Sequence, residues 1–203
     1  MEKKHLISFV RADNTSALVD FTCGVKSMDE FIHDKEKGLE KFIHLKLSNL
    51  WIVYENEKVV AFFALSKDSI ILNSEDRRIL ESKELNNAMS DNTDADFFWE
   101  KEKYPAVEID YLAVCKEMRE DSECHLGAYI VDTIAQRALL DEFSATMFLT
   151  VEALDTPQYS AVEFYRKCDF EYSDVAQNKY NYDSVFGNRP TTRRMYRLIL
   201  PVD

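Results

Sequence analysis

The chain has 203 residues, 46% of them hydrophobic and 31% charged. That is enough apolar material for a real core and excludes a disordered chain, while no window holds the roughly 18 uncharged apolar residues of a membrane-spanning helix. The formal net charge of −12 argues against nucleic acid as the main partner, because neutralising phosphates takes clustered Lys and Arg, and it suits a cationic or amine substrate.

The N-terminus, Met1-Glu2-Lys3-Lys4-His5-Leu6-Ile7, lacks the apolar core and cleavage site of a signal peptide. A cytoplasmic protein that does not engage a membrane is therefore expected. Cys23, Cys115, Cys124 and Cys168 form no CxxC pair and stand at no matched His spacing, so no metal is expected and the thiols read as reduced. Cys124 and His125 are neighbours in sequence only, and a nucleophile and its base meet through the fold. Glycine is confined to Gly24, Gly38, Gly127 and Gly187.

In chain order, Ser27-Met28-Asp29-Glu30 reads as a capping box with Ser27 as N-cap. The helix that follows carries Met28, Phe31, Ile32, Leu39, Phe42 and Ile43 at helical spacing. Leu50 to Tyr54 and Val59 to Leu65 are strand-like runs joined by the polar turn Glu55-Asn56-Glu57-Lys58, which predicts a hairpin. Glu75 to Met89 reads as a helix and Ser90 to Asp96 as a loop. Phe97-Phe98-Trp99 reads as a lid packed on the core in preference to part of a substrate pocket. Ala106 to Val114 is a strand, Cys115 to His125 a loop, and Leu126 to Leu140 a helix with Leu126, Ile130, Ile134 and Ala138 on one face. Met147 to Val151 suits a buried strand. Ser160-Ala161-Val162-Glu163 is a second capping box, opening a helix with Ala161, Phe164, Tyr165 and Cys168 on one face. Arg193 to Leu200 is a last strand. This order predicts an α/β (α+β) fold: a mixed, mostly antiparallel twisted sheet flanked by helices, in a single domain 1–203 with a helical or loop insertion at 68–104.

Chemistry concentrates between Val107 and Phe170. Unpaired N–H groups at the start of the Leu126 helix make an anion site at the positive end of its dipole. Gly127, with small Ala128 after it, permits a pyrophosphate to approach. Ile109-Asp110-Tyr111-Leu112-Ala113-Val114, a loop, and His125-Leu126-Gly127-Ala128-Tyr129-Ile130-Val131 resemble the central motif of the GNAT acetyltransferases. That motif is a strand ending in Leu-Ala-Val, an Arg/Gln-x-x-Gly-x-Gly/Ala loop and a helix. Phe148-Leu149-Thr150-Val151-Glu152-Ala153 resembles the family's next strand. Ala161-Val162-Glu163-Phe164-Tyr165-Arg166-Lys167-Cys168-Asp169-Phe170 resembles its A-x-x-F-Y-x-x-x-G-F helix. Phe21-Thr22-Cys23-Gly24, Met28-Asp29-Glu30-Phe31-Ile32 and the hairpin ending in Ala64-Leu65-Ser66 resemble a subgroup that includes acetylating toxins. The chain also departs from the pattern. Gly127 is the loop's one glycine, Glu123 and His125 stand where glycines are common, and Met118-Arg119-Glu120-Asp121 lengthen the loop. Asp169 replaces the glycine of Gly-Phe, and Gln158 stands where an Asn often does.

The resemblance implies an N-acetyltransferase with acetyl-CoA as co-substrate and direct attack by an amine in a ternary complex. It implies that Leu112, Ala113, Val114 and Cys115 offer backbone groups to the pantetheine arm. His125, Leu126, Gly127, Ala128 and Tyr129 would surround the phosphates, with Lys116 and Arg119 as basic neighbours and Gln158 beside the cofactor. Tyr165 matches the family's general acid for the leaving thiolate, a phenol of pKa about 10 that stays protonated at neutral pH; its plainer reading is a core tyrosine. Glu108 matches a strand glutamate that serves some members as general base. Glu108 shares a strand face with Asp110, and paired carboxylates raise one pKa towards the range of a base; the plainer reading is a solvated pair at an edge. The acceptor expected is a small-molecule or peptide amine, with nucleic acid unlikely, and a homodimer is allowed. Two alternatives stand beside this. One is a GNAT-fold protein that has lost catalysis and binds or regulates, motivated by the glycine-poor loop. The other is a toxin acetylating the amino acid on charged tRNA, with Arg193, Arg194 and Arg197 as the local basic patch that RNA would need.

Overall fold

The computed structural model of the chain describes residues 6–81, 98–120, 125–173 and 191–199. Its strands are β1 (Ile7–Ala12), β2 (Asn49–Glu55), β3 (Lys58–Ile70), β4 (Tyr104–Val114), β5 (Phe148–Leu154), β6 (Glu171–Tyr172) and β7 (Thr192–Leu198). Its described helices are α1 (Lys26–His33), α2 (Leu39–His44), α3 (Ser74–Leu80), α4 (Lys116–Glu120), α5 (Leu126–Leu139) and α6 (Val162–Lys167). The strands form one sheet in the order β1-β2-β3-β4-β5-β7-β6. The pairings of β1 with β2, β2 with β3, β5 with β7 and β6 with β7 are antiparallel. This is the α/β architecture expected from the sequence, a mostly antiparallel sheet flanked by helices. Contacts divide the chain into two compact units, Met1–Ser66 with Ile109–Thr133 and Lys67–Glu108 with Ile134–Asp203.

In the first unit, β2 and β3 form the expected hairpin, with Asn49 opposite Leu65 and Glu55 opposite Lys58. Asn56 in the turn takes φ 56°, a left-handed conformation that Asn tolerates. β1 is not among the elements expected; it pairs along β2 from Ile7 opposite Glu55 to Ala12 opposite Leu50. The single helix expected from Ser27 through Ile43 is two helices. Asp34 ends α1 by accepting the N–H groups of Glu36 (2.8 Å) and Lys37 (3.0 Å). Gly38 then starts α2 where a Cβ would lie 2.1 Å from the Phe31 carbonyl and 2.3 Å from that of Asp34, so the backbone passes too closely for any side chain. Val25, not Ser27, precedes α1, and no side chain caps that end. The Phe31 ring stacks on Tyr111 at 4.5 Å, and Phe42 meets them edge-on at 5.6 and 5.8 Å. Such aromatic contacts add to the apolar burial that seats both helices.

The second unit has a core that includes Ile70, Leu80, Phe98, Tyr104, Phe148 and Tyr196. β3 runs to Ile70 and α3 starts at Ser74, so regular structure enters the stretch read as an insertion. The remainder of the helix expected to Met89, the Ser90 to Asp96 loop, and Phe97 lie outside the described residues. Asn73 caps α3 by accepting from Glu75 N–H (2.9 Å) and Asp76 N–H (3.0 Å), while Asp76 accepts from Asn73 N–H (3.2 Å). Asp76 is fully buried and also takes the Tyr196 hydroxyl at 3.2 Å, as a buried carboxylate requires. Phe98 is buried and Trp99 packs against the core, which matches the lid reading for these two residues. The Tyr104 hydroxyl donates to the Phe98 carbonyl at 2.7 Å. The capping box expected at Ser160 is absent: α6 begins after Ala161 with no side-chain cap, and Ser160 Oγ accepts from Val162 N–H at 3.3 Å. Asp169, where the resemblance has glycine, sits just past α6 at φ 63°. Among the described residues no helix is long and apolar enough to cross a membrane.

Candidate active site

In the first unit, β4 ends with Leu112 and Val114 half-buried and Ala113 and Cys115 buried. The Cys115 N–H donates to the Val60 carbonyl at 2.8 Å, which fixes the exit of the strand. Where a loop is expected, α4 follows at once, and Arg119 belongs to it. Residues 121–124, with Glu123 and Cys124, lie outside the described residues. α5 has 14 residues. The exposed His125 precedes it, and its carbonyl accepts the Tyr129 N–H at 3.0 Å. Leu126 is buried, Gly127 and Ala128 are half-buried, and Tyr129 is exposed, its ring 6.0 Å from that of Phe9. The first-turn N–H groups of a helix this long make a positive, anion-accepting end. Asp110 accepts hydroxyl donors from Ser48 (2.5 Å) and Ser66 (2.9 Å).

A turn not singled out for a role lies against α4. The Asp29 carboxylate accepts the Thr22 hydroxyl at 2.7 Å and the N–H groups of Cys23 at 2.8 Å and Gly24 at 3.1 Å. Burial alone would raise the Asp29 carboxyl; the bonds from Thr22, Cys23 and Gly24 outweigh it and hold the group below its ordinary range. Burial pushes the neighbouring Cys23 thiol up to about 11. Gly24 adopts φ 73°, and the Lys116 N–H donates to the Thr22 carbonyl at 3.3 Å. The signal available in the sequence was the scarcity of glycine.

In the second unit, the Arg194 guanidinium joins Asp68, Glu108 and Glu152. It donates to Asp68, to Glu108 at 2.7 Å, and lies 3.8 Å from Glu152. Thr150 adds its hydroxyl to Asp68 at 2.5 Å. The Arg194 side chain is 18% exposed, so these charges are screened poorly by water. Glu108 is thus an ion-pair partner of a guanidinium. Arg193 Nε donates to Asp155 at 2.9 Å, and its guanidinium lies 5.2 Å over the Tyr172 ring. Arg193 and Arg194, suggested as part of an RNA patch, are thus committed to partners within the fold. Gln158 is exposed in the turn between β5 and α6, closed by Thr156 N–H to the Tyr159 carbonyl at 2.8 Å.

Tyr165 is 5% exposed on α6, its ring 5.0 Å from Phe164 and 5.2 Å from Phe170. Desolvation, with smaller contributions from Cys168 and Tyr159, raises its phenol well above the ordinary value. It stays neutral throughout the physiological range. Among the described residues no group of three or more His, Cys, Asp or Glu side chains is arranged to hold a metal ion.

No family model and no curated protein sequence matches the chain. Solved structures do. A mutant of the toxin AtaT bound to the C-terminus of the antitoxin AtaR and acetyl-CoA aligns over 95% of this chain and 93% of its own, at TM-score 0.56 and 14% identity. A mutant of KacT aligns over 95% of each chain at TM-score 0.58 and 13% identity. AtaT complexed with acetyl-methionyl-tRNAfMet aligns over 82% of this chain and 87% of its own, at TM-score 0.54 and 17% identity. The chain has the GNAT fold. One expectation is corrected by these neighbours. A small-molecule or peptide acceptor, with nucleic acid unlikely, does not fit a fold group whose members are seen with a tRNA and with an antitoxin. The physical reason is that net charge sums over the whole surface, whereas a tRNA end is met by a small part of it.

Proposed function

We propose that this chain is an acetyl-CoA-dependent N-acetyltransferase of the toxin kind, acetylating the amino group of an aminoacyl-tRNA by direct attack in a ternary complex. The reading is supported above all by the shared fold with a toxin complexed with acetyl-methionyl-tRNAfMet. An acceptor of that class places the work in the cytoplasm.

The co-substrate supplies an activated acetyl group: the amine nitrogen bonds to the carbonyl carbon as the C–S bond breaks. The N–H groups opening α5 at Gly127 and Ala128 would receive phosphate charge, and the backbone of Leu112 to Cys115 would hold the pantetheine arm. Tyr165 would give its proton to the departing sulfur. A developing thiolate in the same dry surroundings gains basicity as the phenol loses acidity, so the two shifts offset each other and donor and acceptor stay matched. The amine releases its own proton to water. An α-amino group with pKa near 7.7–8.0 is roughly a tenth neutral at pH 7, so no dedicated base is required, and Glu108 stays with Arg194.

Induced expression in a bacterial host tests this in the cell. Growth should stop, and N-acetylated aminoacyl-tRNA should accumulate in the extracted tRNA. Growth arrest without acetylated tRNA would contradict the reading.

A further inference from the structure

The N-terminal turn and α4 meet at one glycine. Gly24 is at φ 73°, and a Cβ there would lie 3.2 Å from Lys116 Cδ, 3.3 Å from Lys116 Cγ and 3.5 Å from Arg119 Nη2. The Lys116 stem and the Arg119 guanidinium therefore lie across the bare face of this residue. The turn beneath them is held rigid from below: Asp29 accepts from Thr22, Cys23 and Gly24, and the Gly24 N–H is shared with the Thr22 hydroxyl at 3.2 Å. It is tied to α4 by the bond from Lys116 N–H to the Thr22 carbonyl, and α4 is itself fixed to β3 through Cys115 and Val60. An Asp that satisfies three donors in one turn leaves that turn little freedom.

We propose that the Thr22–Gly24 turn, clamped by Asp29, is a positioning brace that sets Lys116 and Arg119 to receive the phosphates of the nucleotide part of CoA. The inference rests on the cofactor reading above and goes beyond it. The cations on α4 stand on the same stretch between β4 and α5 that is poor in glycine, so they supply charge where side chains hinder close approach of the backbone. Gly24 and Asp29 act through them and touch no reacting atom.

The test is a double-mutant cycle read by calorimetry with CoA. Gly24→Ala should weaken CoA binding about tenfold, the loss expected when a charge-assisted contact is displaced. In the Lys116→Ala background the same substitution should change affinity less than about twofold, because the side chain it displaces is already gone. Equal losses in both backgrounds would reduce Gly24 to a structural residue and overturn the proposal, as would no loss in either. If Gly24→Ala does not fold, Gly24→Asn adds the Cβ with a residue that tolerates positive φ, and the same pattern is required of it. Wild-type protein that binds no CoA overturns the cofactor reading and this inference together. Wild-type binding with no coupling overturns the inference alone.

Discussion

The sheet face that carries Arg194 and the helix that carries Tyr165 handle ionisable groups by opposite means. Around Arg194 the charges form and are paired: a guanidinium meets Asp68, Glu108 and Glu152 on neighbouring strands. Around Tyr165, Phe164 and Phe170 exclude water and charge does not form. A paired carboxylate is a poor proton acceptor for chemistry, while a dry phenol keeps its proton to a higher pH. The two residues nominated for catalysis thus stand in opposite surroundings: Tyr165 is dry and neutral, and Glu108 is ion-paired with Arg194.

Substitutions can break this contrast. Arg194→Met leaves two or more carboxylates without their cation inside the sheet and should cost about 3 kcal/mol of stability in denaturant unfolding; a loss below about 1 kcal/mol would mean the pairs are as weak as surface ones. Tyr165→Phe should lower turnover about a hundredfold, about 2.7 kcal/mol of barrier, with cofactor affinity unchanged. Gly38→Ala places a Cβ on two backbone oxygens and should cost about 2 kcal/mol. Glu108→Gln should cost about 1 kcal/mol of stability and leave turnover intact; a large rate loss with stability preserved would return Glu108 to the role of base. The smallest effect is in alkali. Cys23 rises from 9.0 unfolded to about 11 folded, so its stabilisation is complete below pH 9 and is lost as pH climbs towards 11. Cys23→Ala should flatten that stretch of the stability curve, and an unchanged slope would show that the thiol is not sealed from water.

Apolar pattern was legible and polar pairing was not. The hairpin of β2 and β3, the helix from Leu126 and the buried face of Tyr165 followed from periodicity alone. The split between α1 and α2 did not, because Gly38 is required by a backbone crossing that spacing does not encode. Both capping boxes read from sequence are missing, at Ser27 and Ser160, while a capping box at Asn73 and Asp76 lies in a stretch of weak pattern. Arg194 looked like part of a basic surface because its three carboxylate neighbours come from β3, β4 and β5, 42 to 126 residues away in sequence. Gly24 was visible as a rare glycine, but its neighbours Lys116 and Arg119 appear only once α4 is folded against it.

Acetyl transfer with purified components tests the central claim most directly. The protein would be incubated with acetyl-CoA and either aminoacyl-tRNA, deacylated tRNA or free amino acid, and the 3′-terminal aminoacyl-adenosine weighed by mass spectrometry after nuclease treatment. The account predicts one added acetyl group on the charged tRNA, none on the others, and a much slower gain with Tyr165→Phe. No mass gain on charged tRNA, with CoA binding intact, would contradict it.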